Sequence, residues 1–239
     1  TYYINGMQVR RKDVIDLFLG TGLGPRAYAI IGQGTISRII ESRPEELHRV
    51  IREHPLGVLV THGSEGLDAD HIPFMLLPDE GPHGRLRAHV ARANPVWQRC
   101  PTGTPVMVVF RGAEAYISPS WYPSKHETHR QVPTWNYQVV HAHGTITIQD
   151  DEKSVRGIVA RLTQRHEAAE PRPWKMGDSA PEFIDSMLRN IVGIEIDITS
   201  LVGKSKLGQN REPRDRMAAL DPRVPPLPWR DPGEVNLRG

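Results

Sequence analysis

The chain has 239 residues, 38% hydrophobic and 24% charged, a composition that excludes a disordered protein and a disulfide-stapled miniprotein. Lys and Arg number 30 against 28 Asp and Glu, and a formal charge of +2 predicts no strong affinity for polyanions. The single cysteine, Cys100, excludes an internal disulfide and indicates a reducing compartment. No apolar run approaches the roughly 18 residues of a membrane span, and residues 1–5 lack signal-peptide order, so we expect a cytoplasmic protein without a membrane partner.

The first 43 residues differ in character from the rest of the chain. They contain a Gly-rich centre at 20–25 and an apolar run at 27–31. A dinucleotide-binding loop would need a third glycine where Pro25 stands, so we interpret the Gly-rich centre as a turn.

Short strands dominate the middle of the chain, where many of the 21 Pro and 21 Gly separate apolar runs. The strand candidates alternate in polarity or are rich in Val, Ile and Tyr, and they cover residues 57–61, 70–77, 86–91, 106–110, 113–117, 138–148 and 193–201. Six or seven short strands with turn signals between them predict an antiparallel barrel or sandwich.

Helical periodicity appears in three places, at residues 45–54, 151–169 and 181–190. In the first, Leu47, Val50 and Ile51 share one face, and in the second Asp150 or Asp151 is suited to cap the helix. The fold class is therefore mainly β with helices, an α+β domain. Beyond residue 212 prolines recur with few apolar residues, and we expect an extended, poorly ordered tail over 213–239.

Aromatic, hydroxyl and cationic side chains are concentrated in residues 116–137, which contain two of the five Trp and three of the six Tyr. Aromatic walls suit a planar ring, and hydroxyls with cations suit a phosphate. A well-packed aromatic loop explains the same composition, and the residues alone leave both interpretations open.

A metal site is the other interpretation of this region. His141 and His143 would share one face of a strand, and His126 and His129 could converge on them from a loop. Because no Asp or Glu completes a set at zinc spacing, we favour hydrogen-bonded or surface imidazoles and expect no metal.

From about residue 45 to about 217 the chain resembles the PaiB-type family of FMN-binding negative transcriptional regulators. The motifs that carry this resemblance are HPLG at 54–57, HIPF at 71–74, HVARANPVW at 89–97, the run 115–125, VPTWNY at 132–137, IVGIEI at 191–196 and KLGQNR at 206–211. The family pattern has Trp at the position of Ser205 and Ser at that of Gly208, so this chain departs from it at two places.

The resemblance implies an FMN-binding split β-barrel that dimerises with flavin at the subunit interface, and a role in repressing protease and sporulation-type genes. It also implies a set of cofactor-binding residues: His89, Arg92, Asn94, Ser118, Trp121, Lys125, Thr134, Trp135, Lys206, Gln209 and Asn210. Within this set we expect Arg92 to bind phosphate, because a guanidinium takes phosphate oxygens in pairs. No catalytic residue is identified.

Residues 1–43 instead resemble an internal piece of the head domain of bacterial structural-maintenance-of-chromosomes (SMC) ATPases, through YYING at 2–6, LFLGTGLGP at 17–25 and YAIIGQG at 28–34. The chain is therefore interpreted as a chimera, with this fragment at 1–43, the FMN-binding domain at 44–212 and the tail at 213–239. Because the fragment has no phosphate loop of its own, we expect it to have no function of its own.

The alternative function is an FMN-dependent oxidoreductase of the pyridoxamine-phosphate-oxidase or flavin-reductase type, since the same barrel supports both functions. The sequence shows no helix-turn-helix pattern, so binding to DNA is expected from the family resemblance alone.

Overall fold

The computed structural model describes residues 2–4, 7–9, 43–209 and 211–219. The chain divides into two units, 1–39 and 40–239. In the first unit, β1 (Tyr2–Ile4) and β2 (Met7–Val9) form an antiparallel pair. The Gly-rich centre at 20–25 and the apolar run at 27–31 lie outside the described residues, so both interpretations stay predictions.

The second unit is a seven-stranded antiparallel sheet with helices at its margins, in the sheet order β4-β3-β7-β8-β9-β6-β5. Its strands are β3 (Leu56–Gly63), β4 (Gly66–Pro73), β5 (Met75–Leu77), β6 (Arg85–Ala91), β7 (Pro105–Ile117), β8 (Thr134–Gln149) and β9 (Ile191–Lys206). Its helices are α1 (Pro44–Glu53), α2 (Val96–Arg99), α3 (Pro123–Thr128), α4 (Glu152–Glu167), α5 (Pro181–Arg189) and α6 (Pro213–Ala219), with short 3₁₀ helices at Pro119–Trp121 and Met176–Asp178. The predicted α+β class is confirmed.

The inner face of the sheet forms the main core. Alternate residues of β7, β8 and β9 point into it, because side chains along a strand alternate between faces. The fully buried members include Leu59, Phe74, Val108, Phe110, Ala142, Ile146, Ile194 and Ile196. The rings of Phe74 and Phe110 meet edge to face, with centroids 5.9 Å apart.

The three predicted helices are present within two residues of their expected ends. Leu47, Val50 and Ile51 of α1 are buried, as their spacing predicts. Asp151 caps α4 by accepting a hydrogen bond from the Ser154 amide at 2.9 Å. From α4, Ile158 packs with Met75 of β5 on the opposite side of the sheet from the main core.

The strand predictions are right in position and wrong in several ends. The candidates 106–110 and 113–117 are one strand, β7, whose pairing with β8 shifts between Arg111 and Glu114. The candidate 70–77 is two strands, β4 and β5, separated at Phe74, whose amide donates to the Pro55 carbonyl at 2.8 Å. Both β8 and β9 extend to sixteen residues, because each keeps a partner strand along its length.

The sequence did not indicate α2, α3 or α6. The expected extended tail differs from the structure over Pro213–Ala219, which forms α6 with Asp215 and Ala219 buried. Residues 220–239 lie outside the described part of the chain. Among the helices that the structure describes, none combines the length and the apolar character that a membrane span requires.

Gly144 of β8 leaves no room for a side chain against β9. The register of the two strands shifts between His143 and Gly144. A Cβ atom at Gly144 would overlap the carbonyl oxygen of Asp197 and lie 2.7 Å from Cγ2 of Ile196. The obstacle is largely backbone, so it cannot move aside as a flexible side chain would.

We expect Gly144→Ala to lower the free energy of unfolding by about 1–3 kcal/mol, because the added methyl forces the paired strands apart. The matched control is Gly157→Ala on α4, where an added Cβ meets nothing within 4 Å and where Ala is favoured over Gly by up to about 1 kcal/mol. Urea unfolding followed by circular dichroism measures both. A Gly144→Ala midpoint equal to that of the wild type would contradict the close approach.

Candidate functional site

Two aromatic side chains form an exposed pair at one end of the β7–β8 hairpin. Tyr116 and Trp135 are directly opposed across the two strands, and their rings meet edge to face with centroids 6.1 Å apart. They are 48% and 55% exposed, although side chains of this size are usually largely buried. An exposed aromatic pair held by a rigid sheet presents an apolar wall to a ligand.

Lysines from β9 lie beside this wall. Lys206 is paired in register with Tyr137, and its ammonium donates a hydrogen bond to the Thr134 hydroxyl at 2.6 Å. The ammonium of Lys204 lies 5.4 Å from the centroid of the Tyr137 ring. The site therefore combines aromatic faces from residues 116–137 with positive charge from β9.

The segment between β7 and β8 carries three more of the predicted site residues. The Ser118 hydroxyl accepts a hydrogen bond from the Ser120 amide at 3.3 Å, which caps the 3₁₀ helix. Trp121 packs against the small cluster of Ile117, Tyr122 and Ala219. Lys125 is half-buried on α3.

The turn after β9 is held by its own side chains. The Gln209 amide oxygen accepts from the Leu207 backbone amide at 2.8 Å, and its nitrogen donates to the Ser205 carbonyl at 2.8 Å. Gly208 has φ of +76°, a value that other residues rarely adopt. In this structure Gln209 shapes the turn beside Lys206. Asn210 lies outside the described residues.

A buried polar network links this segment to α6, and sequence reasoning missed it. Asp215 accepts hydrogen bonds from the backbone amide of Ser124 at 3.1 Å and from its hydroxyl at 2.6 Å. Gln131 donates to the Ser124 hydroxyl at 2.7 Å and accepts from Arg211. The Arg211 guanidinium also lies 5.0 Å from the centroid of the Tyr122 ring. Burial raises the pKa of the Tyr122 phenol, and the positive charge of Arg211 opposes that shift.

The remaining predicted site residues lie on β6 or just after it. Arg92 forms a two-pronged ion pair with Asp150, and its Nε donates to the Arg189 carbonyl at 2.8 Å. The hydrogen bond from Arg92 lowers the pKa of the Asp150 carboxyl. Asn94 donates to Asp70 at 2.7 Å and accepts from the Val96 amide at 2.8 Å. Here Arg92 and Asn94 connect elements of the fold.

His89 keeps a free hydrogen-bonding atom. Its side chain points away from the main core, because the flanking Ala88 and Val90 point into it. In the part of the chain that the structure describes, its Nδ1 and Oδ2 of Asp70 are the buried side-chain atoms that lack a hydrogen-bond partner. Burial lowers the pKa of His89, so the neutral imidazole is favoured.

The predicted site residues therefore fall into two groups. His89 is paired in register with Gly193, which is paired with Gln149 at the last residue of β8. Lys206 is paired with Tyr137 near the start of β8. The two positions are separated by about 40 Å along the strand at 3.3 Å per residue. Thr134, Trp135 and Lys206 are brought together near the start of β8, and the β6 group lies at the other end.

The histidines of the metal interpretation do not form a site in the structure. His141 and His143 lie on β8, with ring centroids 6.5 Å apart, while His126 and His129 lie at α3. Over the described residues, no three His, Cys, Asp or Glu side chains come together to hold a metal ion.

The side chains at the β7–β8 end suit a flavin mononucleotide. A flavin presents a planar ring and a phosphate, and this group supplies aromatic faces, the Thr134 hydroxyl and two lysines of β9 at one place. The orphaned imidazole nitrogen of His89 is a further unused group for a ligand.

Comparison with known proteins gives two kinds of match. A family model described as "Putative FMN-binding domain" matches residues 37–200. Protease synthase and sporulation protein PAI 2 of Bacillus subtilis is 30% identical over 177 residues, which cover 74% of this chain and 82% of that protein. The chromosome partition protein Smc of Thauera aminoaromatica is 77% identical over 53 residues, but these cover 22% of this chain and only 4% of Smc. The chimeric interpretation is thus supported.

Among solved structures, the FAD and heme binding protein from Mycobacterium smegmatis has a similar fold. The TM-score is 0.51 at 18% identity, and the similarity covers 75% of this chain and 78% of that one. Such a likeness concerns the fold alone, and it agrees with the split β-barrel that the family resemblance implies.

Proposed function

Since this chain belongs to the FMN-binding domain family that includes the PaiB-type proteins, with FMN as the cofactor, we propose that it binds FMN at the β7–β8 end. The observation that carries this placement is the exposed Tyr116–Trp135 pair next to the Lys206–Thr134 hydrogen bond. When bound, FMN supplies a ring that accepts and releases electrons. The chain's own residues bind and orient it.

Each group of side chains has a separate task in this proposal. The rings of Tyr116 and Trp135 cover apolar ring surface. Lys206 and Lys125 place positive charge near the phosphate, and the Thr134 hydroxyl fixes the direction of the Lys206 ammonium. Arg92 is already engaged by Asp150, so we assign it to the fold of the barrel instead of the phosphate.

Trp135→Ala and Lys206→Met should each weaken FMN binding about tenfold or more, since one removes ring contact and the other removes charge next to the phosphate. The matched controls are Trp174→Ala and Lys175→Met, at an exposed Trp and its neighbouring Lys away from the site. Quenching of FMN fluorescence on titration with protein gives the dissociation constants. Controls and site variants that bind equally well would contradict the placement, as would a folded wild type that binds no FMN.

We propose that the protein acts as a homodimer through the outer face of the sheet. Two cross-strand rows lie on this face, Val58–Val109–His141–Val202 and Val60–Met107–His143–Ser200. All eight side chains are partly or largely exposed. We call this surface the outer face.

The chemistry of the outer face suits contact with a second copy of itself. In a two-fold interface, a surface patch of one protomer contacts the same patch of the other protomer. A patch with net charge would therefore repel its copy. The two rows contain no acidic, Lys or Arg side chain, and Lys204 and Arg111 lie at their border. A second protomer also offers a way to join the two residue groups, which lie at opposite ends of β8 within one chain.

Val202→Glu should convert the dimer to monomers at tens of micromolar, because a two-fold interface buries the new carboxylate twice. The control is Leu67→Glu at the tip of the β3–β4 hairpin, where the side chain is 77% exposed. Sedimentation velocity measures the mass of each. A wild type that is monomeric, or a Val202→Glu dimer, would overturn the proposed interface.

We further propose that the FMN-binding protein regulates transcription. What supports this is its similarity to PAI 2, whose name refers to protease synthesis and sporulation. In the stretch from residue 43 to 219 that the structure describes, no two helices are joined by the three- or four-residue turn of a helix-turn-helix; α4 and α5 are separated by residues 168–180. Within these described residues, any contact with DNA would therefore use a different element.

An FMN-dependent oxidoreductase is the second candidate, and one observation favours it. Tyr116 and Trp135 are about half exposed and would cover one face of the flavin ring, which leaves the opposite face for a second small molecule. An open flavin face is what hydride transfer from a nicotinamide requires.

Binding to a promoter fragment and turnover of reduced nicotinamide separate the two functions. For a regulator, we expect the FMN-loaded protein to bind the fragment from upstream of its own gene more tightly than scrambled DNA, with weaker binding at higher salt. We also expect it to oxidise NADH no faster than free FMN does. Equal affinity for both DNAs together with rapid NADH oxidation would reject the regulator in favour of the oxidoreductase.

A further inference from the structure

Helix α6 places the carboxylate of Asp215 in the protein interior, where acidic side chains are rare. Asp215 is 1% exposed, and among the side chains that the structure describes it is the one fully buried acidic or basic group. Burying a charge costs free energy unless hydrogen bonds compensate it. The helix lies beyond residues 37–200, the stretch that the FMN-binding family model matches.

The hydrogen bonds of Asp215 lead to the segment between β7 and β8. Its two oxygens accept from the Ser124 amide and hydroxyl, and Oδ2 also lies 3.4 Å from the Gln131 amide nitrogen. Tyr122, at the N-cap position of α3, makes no side-chain cap bond, so the carboxylate satisfies an amide at the start of that helix from outside it. One side chain thereby fixes both ends of residues 124–131.

The other polar restraints on this segment are more exposed: Arg214 of α6 pairs with Glu127 at 2.8 Å, and Arg211 donates to Gln131. His129 ends α3 in the left-handed region with φ of 56°, and residues 129–133 belong to no helix or strand. Its apolar contacts form a small cluster of Ile117, Tyr122 and Ala219, separate from the main core. Since α6 supplies Ala219, the helix contributes both an apolar and a polar contact to the same segment.

The segment also carries part of the proposed FMN site. Trp121 and Lys125 flank Ser124, and Gln131 precedes Thr134 by three residues. We propose that Asp215 is a positioning residue for the flavin, which makes α6 part of the site although it lies outside the matched domain. This inference rests on the proposed placement of FMN at the β7–β8 end.

Asp215→Ala and Asp215→Asn test the inference, with Glu182→Gln as control because Glu182 is an exposed carboxylate on α5 that contacts neither α6 nor the segment. We expect Asp215→Ala to weaken FMN binding about tenfold or more, and Asp215→Asn to weaken it less, since Asn keeps an acceptor for the Ser124 amide. The visible circular dichroism of bound FMN should change in both variants and stay unchanged in the control.

Limited trypsin digestion without flavin measures the position of the segment independently. We expect the fragments that end at Lys125 and Arg130 to appear at least about fivefold faster in Asp215→Ala than in the wild type. The urea midpoint of the main transition should stay the same, because the cluster at Tyr122 is separate from the main core.

The outcomes that overturn the inference are distinct from failure of the proposed site. Wild-type cleavage rates in Asp215→Ala show that the carboxylate does not position the segment. Loss of the main transition shows that Asp215 is required for the whole fold, which also rejects the inference. If cleavage accelerates while FMN affinity and dichroism stay unchanged, the segment does not contact flavin, and α6 is not part of the site. If the wild type binds no FMN, the proposed function itself fails.

Discussion

The pairing of β8 with β9 is the constraint on which the rest of the molecule depends. These two sixteen-residue strands supply central core residues on one face and half of the outer face on the other. Their length also sets the distance between the two groups of candidate ligand residues. Because a strand alternates its side chains, the same residues that build the core decide which neighbours face outward. The register of β8 against its partner strands therefore determines the positions of the Tyr116–Trp135 wall, the outer face and the core.

Much of this arrangement could be predicted from the sequence, because short-range patterns encode it. The spacing of Val155, Ile158 and Leu162 gives α4, and their burial follows from it. The β-branched runs give the positions of the strands. The concentration of Tyr and Trp in residues 116–137 indicates a ligand wall, and the structure places Tyr116 opposite Trp135 there. Strand ends were less predictable, because they depend on the length of the partner strand.

What could not be predicted depends on contacts between distant residues. Asp215 lies 91 residues from Ser124, in a proline-rich region whose composition conceals a helix of seven residues. Arg92 is as well suited to a carboxylate as to a phosphate, and no local pattern shows that Asp150, 58 residues later, will lie beside it.

The pairing of β6 with β9 has a consequence for synthesis on the ribosome. Arg85 meets Asp197 across these strands at a separation of 112 residues, so the β5–β6 hairpin emerges long before its partner. At about 5–20 residues per second the wait is on the order of 6–20 s. During that time the free edge carries Arg85 and Arg87, and charged side chains on an unpaired edge discourage pairing between chains. The same arginines later bind Asp197 and Glu195, so residues that protect the nascent chain become part of the finished sheet.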